Sequence, residues 1–334
     1  MDKKKRLQIF DDMKNGIRPC CLPMDVIRYA EYRKDIYHLG EPEYEVRAGE
    51  VGVSEDGKKR FTKDGGVWNV SQKEKYKSFE DVIKMDLGYF TVEEVDDKML
   101  GEMRRLYDEV ARTHVPVPWH YGTLLSRCEI EFGWDALLQA SALEPVAFSK
   151  VLDRIGESSL RVIDGWGRID DVELMIVHDD IAATRSLIWS PEYLRKYIFP
   201  WYKRFFDKAH ENGKKVLYIT DGNYSEIIDD LIDLGVDGLY IESSSIDPEF
   251  VMEKGGPGLY YLLKTDSRIM DYGTREEILD EVMKIKGLHE KYPRIWSYIG
   301  GGSVKPENKE AFLDYYNKYL IYDRTSWKRI YRRD

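Results

Sequence analysis

Cysteine is scarce in this chain: Cys20, Cys21 and Cys128 are the three among 334 residues. An odd number with two adjacent makes no disulfide framework, which points to a reducing compartment. Long apolar runs are missing too, since no stretch approaches the roughly 18 residues of a membrane-spanning helix. The basic start Lys3-Lys4-Lys5-Arg6 leads to Asp11-Asp12 rather than to the apolar segment of a secretory signal. A cytoplasmic protein with no membrane partner is expected. Positive charge is in deficit, with a formal net charge of −10. Binding nucleic acid needs a concentrated positive surface, so that partner class is excluded. The basic ends, Lys3 to Arg6 and Arg324 to Arg333, read as solvated charge. There is no fixed-period repeat and no low-complexity stretch. A dinucleotide fingerprint is also lacking, because Gly300-Gly301-Gly302 does not have the G-x-G-x-x-G spacing.

What is present reads as one domain over 1–334. Residues 1–100 form an irregular extension, 101–320 carry regular β/α units, and 321–334 make a basic tail. A helix is expected from Lys4 to Asn15, ended by Gly16. After it, Arg18-Pro19-Cys20-Cys21-Leu22-Pro23 is held extended by its prolines. Asp56-Gly57 and Asp64-Gly65-Gly66 suit hairpin turns around the stretch from Lys58 to Val70, which predicts a small β-meander.

From Val172 the pattern becomes regular. Val172 to Val177 is an apolar run ending in His178-Asp179-Asp180. Ser190-Pro191-Glu192 then supplies an N-cap serine and a first-turn proline for a long amphipathic helix to His210, stopped by Gly213. Val216 to Ile219 ends in Thr220-Asp221-Gly222-Asn223, and a helix from Ser225 to Leu234 follows. Leu239 to Ile241 ends in Glu242, Leu259 to Leu263 in Lys264-Thr265-Asp266, and Ile295 to Ile299 in the glycine triplet. Alternation of this kind implies parallel strands joined by right-handed helical crossovers. The expected fold class is α/β, a (β/α)8 TIM-type barrel. In such a barrel all strand C-termini lie on one face, where the chemistry is placed. Asp180, Asp221, Glu242 and Asp266 would then share a rim. Each has a plainer reading as a helix cap or turn residue, and Asp221-Gly222-Asn223 fits a turn well. Four on one rim are harder to explain as caps.

These blocks resemble the uroporphyrinogen decarboxylase superfamily, which holds the decarboxylase and corrinoid-linked methyltransferases. The resemblance runs from roughly 115 to 315. It is carried by His178-Asp179-Asp180-Ile181-Ala182, Ser190-Pro191-Glu192 and Pro200-Trp201-Tyr202-Lys203. Val216 through Asn223, Gly235-Val236-Asp237-Gly238 and Thr265-Asp266 continue it, then Gly273-Thr274-Arg275-Glu276-Glu277 and Pro306-Glu307-Asn308. An eight-stranded β/α barrel is what it implies. The decarboxylase's arginine-rich N-terminal signature is not matched, since Pro19 to Asp25 has only Arg18 and Arg28 nearby. A substrate with many carboxylates needs several cations.

The methyltransferase branch carries a His/Cys/Cys zinc site. The positions that match its first two ligands hold Ile219 and Asp221, and Gly300 to Ser303 contains no cysteine. Zinc, if held, would need an oxygen and nitrogen set such as His178, Asp221 and Glu242. Losing the sulfurs suits a methyl donor other than a thiol system. The resemblance therefore implies a corrinoid-dependent methyltransferase that demethylates a small, preferably aromatic, methyl ether, with the corrinoid (cobalamin) on a separate protein. Asp180, Asp221 and Glu242 are the expected catalytic residues. Trp119, His120, Tyr121, Asn223, Tyr240 and Asp266 are expected to bind substrate, with the 24 Tyr and 8 Trp favouring a planar donor. The alternatives are a decarboxylase of a small acid on the same barrel and an inactive ligand-binding barrel.

Overall fold

The computed structural model describes residues 3–24, 36–39, 52–53, 59–61, 67–69, 76–90, 94–112, 114–300 and 305–326. Arg28, the dipeptides Asp56-Gly57 and Asp64-Gly65-Gly66, Gly301 to Ser303 and most of the basic tail lie outside the described residues. The small meander is present as β2 (Gly52–Val53), β3 (Lys59–Phe61) and β4 (Val67–Asn69), an antiparallel trio. Among the described residues every other strand belongs to one parallel sheet. These are β1 (Ile36–Leu39), β5 (Val115–Tyr121), β6 (Leu174–His178), β7 (Lys215–Ile219), β8 (Gly238–Glu242), β9 (Tyr260–Lys264) and β10 (Ile295–Tyr298).

Their order is β1-β5-β6-β7-β8-β9-β10, so each strand pairs with its nearest parallel predecessor in sequence. At the far edge, Met24 makes one parallel bridge to Ser297, whose amide donates to the Pro23 carbonyl at 3.0 Å. The proline-locked segment thus runs beside β10. On its other side, Cys21 bridges Ile321 antiparallel, and Leu22 donates to the Leu320 carbonyl at 2.9 Å.

The helices are α1 (Lys3–Lys14), α2 (Phe79–Ile83), α3 (Asp97–Ala111), α4 (Leu125–Phe132), α5 (Trp134–Leu143), α6 (Pro145–Gly167), α7 (Pro191–Tyr193) and α8 (Phe199–Glu211). They continue with α9 (Ile228–Asp233), α10 (Pro248–Gly255), α11 (Ser267–Tyr272), α12 (Arg275–Lys291) and α13 (Pro306–Tyr315). Ser190 caps α7 through its side chain, as its position before Pro191 predicts. The long helix expected up to His210 is interrupted by a π turn over Leu194–Ile198. Pro200 has no N–H to give to the carbonyl four residues back, and its ring crowds that carbonyl.

Strand β6 is buried along its whole length, and β7, β8 and β9 nearly so. Helices covering a parallel sheet require such near-continuous apolar strands. Among the described residues no helix is long and apolar enough to cross a membrane.

The tightest joint between helices is α6 on α8. A Cβ on Gly156 would lie 2.4 Å from the Trp201 indole, so glycine is what lets the two axes approach. Alanine gains helix propensity but must push the ring out of a packed core. Gly156→Ala is expected to lower unfolding free energy by about 1–3 kcal/mol in urea titration.

Candidate active site at the C-terminal ends of the strands

Strand register places the site. Tyr121 lies opposite His178, and His178 opposite Ile219, so β5, β6 and β7 end at one level. Glu242 lies opposite Lys264, and Lys264 opposite Tyr298, which gives β8, β9 and β10 a second such row. Alternation along β5 sends Trp119 and Tyr121 to the side occupied by His178, while His120 faces the helices.

The Trp119 indole N–H donates to His178 Nδ1 at 3.1 Å, the two ring planes lying within 5° of each other. Tyr121 meets the same imidazole edge to face, with 4.7 Å between centroids. With Nδ1 accepting, the proton of the neutral ring is on Nε2, which donates to Asp180 Oδ1 at 3.0 Å. That oxygen also accepts the Asp221 amide at 3.0 Å. Burial is the largest single influence on His178 and lowers its basicity, but the charge and hydrogen bond of Asp180, with the charges of Asp221 and Asp179, together carry the net direction upward. Trp119 acts against full protonation by donating to Nδ1.

Asp180 and Asp221 diverge. Burial would raise both, but His178, the Asp221 amide and Lys264 hold Asp180 below the ordinary carboxylate range. Asp221 is raised, by burial first and then by the charges of Asp180 and Glu242, with Lys264 only partly compensating. It is open to solvent although enclosed by protein on most sides, as a side chain lining a recess is. Its Oδ1 accepts the Tyr240 hydroxyl at 3.0 Å, and Tyr240 meets the Tyr298 hydroxyl at 2.8 Å. The turn that aims Asp221 depends on Gly222, which sits at φ +86°. A Cβ there would be 2.4 Å from the Ala183 carbonyl oxygen. Two neighbouring carboxyls with pKa values pushed apart have the chemistry to divide the tasks of acid and base.

Glu242 faces the same recess but is engaged. Lys264 Nζ donates to its Oε1 at 2.6 Å, while its Oε2 accepts the Gly222 amide at 3.1 Å and the Ser245 hydroxyl at 2.9 Å. Despite burial, Lys264 keeps this carboxyl below its ordinary range. Glu129 of α4 is raised by burial and by the Asp180 charge.

Several sequence expectations are relocated. Asp266 caps α11, accepting the Arg268 amide at 2.9 Å and its guanidinium at 2.7 Å, the ordinary use of an aspartate just before a helix. His120 bonds Ser159 of α6 at 2.9 Å behind the sheet, where burial lowers its pKa to about 4. The Asn223 side chain accepts the Ser225 amide at 3.0 Å and shapes the turn. Trp119-His120-Tyr121 belongs to strand β5 itself rather than to a loop after it. His178, Asp221 and Glu242 do not assemble as a metal set. Among the described residues no group of three or more His, Cys, Asp or Glu is placed to hold a metal ion, and the Lys264 ammonium already sits on Glu242.

The strand-end motifs did not single out Lys264, Tyr298 or Asp179. The first two were detectable only from register, as the residues level with Glu242. Asp179 is fully buried and accepts three amides at the start of α4, from Leu124, Leu125 and Ser126 at 3.3, 3.0 and 2.6 Å, together with the Tyr202 hydroxyl at 2.7 Å.

No protein-family model matches the chain, and no curated protein does. Among solved structures, a methyltransferase from Methanosarcina mazei is similar with a TM-score of 0.53 and 14% identity, over 76% of this chain and 72% of its own. A 3-keto-L-gulonate-6-phosphate decarboxylase from Vibrio cholerae is similar over 73% of this chain and 95% of its own, at 9% identity and a TM-score of 0.30. The first likeness shows a shared fold; the second is too distant to bear on it.

Replacing Asp179 by Asn turns an all-accepting carboxylate into a group that presents N–H to the α4 amides. A loss of about 1–3 kcal/mol is expected in denaturant unfolding, as for a buried hydrogen-bond group left without a partner. Unchanged stability would mean that α4 does not need this cap.

Proposed function

We propose that the chain is a methyltransferase that demethylates a small aromatic methyl ether. The observation that carries this reading is the pair Asp180 and Asp221, carboxyls at the ends of neighbouring parallel strands joined through the Asp221 amide, the one held low and the other raised. The fold shared with a methyltransferase supports it, as does the superfamily resemblance in the sequence. In this reading the Met24 bridge marks the eighth stave of a closed barrel.

Breaking a methyl ether requires a proton for the departing oxygen, and a phenolate leaves readily because its conjugate acid has a pKa of about 10. Asp221, raised and open to the recess, is the acid. Asp180 is held low, and after burial its charge is the next cause that raises Asp221 and favours a proton there. The buried Tyr240 hydroxyl orients the Asp221 carboxyl, and the half-buried Trp119, Tyr121 and Tyr298 supply ring faces and edges for a planar donor. A reduced corrinoid on a separate protein would supply the methyl acceptor in this reading, while the chain's own residues hold the donor and protonate the departing oxygen. No step is assigned to zinc, because His178, Asp221 and Glu242 do not form its ligand set.

Asp221→Asn keeps the shape and the turn but removes the transferable proton. Turnover of methoxylated aromatics, followed as cobalt methylation with reduced corrinoid, is expected to fall about 10²-fold while the melting temperature stays close to that of the native chain. The pH profile follows from the two shifts. Activity should be high between the depressed Asp180 pKa and the elevated Asp221 pKa, and should fall as pH rises through the latter. In Asp221→Asn that alkaline limb should vanish. A folded variant with unchanged turnover would reduce Asp221 to a turn residue.

A further inference from the structure

We infer that Glu242 sets the substrate class of this site: by occupying Lys264 it restricts the recess to uncharged aromatic donors and turns away aromatic carboxylates. The inference rests on reading this rim as the donor site.

The charges around the recess carry the argument. Among the described residues, Lys264 is the lysine or arginine that acts on Asp180, Asp221 and Glu242 together. It is 17% exposed and its partner Glu242 15%, so both lie at the recess rather than on the outer surface. Glu242 is not a loose counter-ion. The Gly222 amide of the β7 turn and the Ser245 hydroxyl of the β8 turn hold its second oxygen, while strand register sets its first against Lys264. An anionic substrate group would have to displace a carboxylate anchored on three sides. Otherwise it must sit beside the Asp180 charge, where like charges in a poorly solvated site repel strongly. The walls offer rings instead, from the half-buried Trp119, Tyr121 and Tyr298, which suit a neutral ring bearing hydroxyl or ether oxygens. Lys264 is thus a cation already spent on the protein, and Glu242 is the selectivity residue.

The test is calorimetric binding of 2-methoxyphenol, 2-methoxybenzoate and phenyltrimethylammonium to the full chain, with methyl transfer measured in parallel. The native protein is expected to bind 2-methoxyphenol at least about tenfold more tightly than 2-methoxybenzoate. Glu242→Gln, checked for folding by circular dichroism, should move that ratio toward the benzoate by about tenfold or more. Adding Lys264→Met to this variant should abolish the gain. The inference is overturned if the native chain binds the benzoate as tightly as the phenol, binds the ammonium more tightly than the phenol, or binds none of the three. It is equally overturned by a folded Glu242→Gln with an unchanged ratio. Selective binding of 2-methoxyphenol without methyl transfer would sink the transferase reading and leave the selectivity standing; equal binding and transfer for both donors would do the reverse.

Discussion

One carboxylate without access to solvent holds the rim together. Asp179 lies between His178 and Asp180 in sequence, and its side chain points the opposite way, into the junction of α4, α8 and the sheet. Three amides that open α4 and the Tyr202 hydroxyl are satisfied by it, and the Tyr218 hydroxyl donates to its carbonyl at 2.9 Å. Its own amide donates to the Ile219 carbonyl at 3.0 Å, which extends the β6–β7 ladder by one step. Because neighbouring residues of an extended chain face opposite ways, pinning Asp179 outward sets His178 and Asp180 toward the recess. Orphan amides at a helix start need an acceptor, and a buried carboxylate needs donors; each supplies what the other lacks.

The electrostatics of the recess follow from that placement. Trp119 donates to His178, His178 to Asp180, and the Asp221 amide to Asp180, so one carboxylate gathers donors on its buried side. The next one, Asp221, has the negative charge of the first as a neighbour and a phenol as a partner. Similar side chains one strand apart thereby reach opposite protonation preferences with no metal invoked. Lys264 and Glu242 form a second ionic unit at the same level, which offsets part of the acidity and keeps a lysine from serving as a free anion anchor.

The glycine at 222 links the two units. Its positive φ lets the chain turn directly after Asp221, its lack of a side chain lets the Ala183 carbonyl approach, and its amide feeds Glu242. A larger residue there would disturb both carboxylates at once, although it touches neither as a side chain.

The strand-end acids were legible because a parallel α/β chain announces itself locally. Apolar runs, capping serine and proline, and stop glycines mark each unit, and parallelism puts the run ends on one face. That reasoning put Asp180, Asp221 and Glu242 at the ends of parallel strands, whereas Trp119 and Tyr121 were picked out by the family resemblance, as part of a loop rather than of β5. It could not separate a rim acid from a cap. Asp266 and Asp221 both follow a strand, yet Arg268 and the first turn of α11 claim the one, while the other is left facing the recess. Nor could it give His120 its direction, which depends on whether β5 extends through that residue. The amino-acid sequence by itself determined the alternation of strands and helices, and hence which residues end strands, because hydrophobic period and capping act over a few neighbours. Only tertiary structure decided which acid is raised and which is held low, that Lys264 is paired with Glu242, and that His178 answers to Trp119. Those outcomes depend on strand register and on burial by distant segments, and no local pattern encodes either.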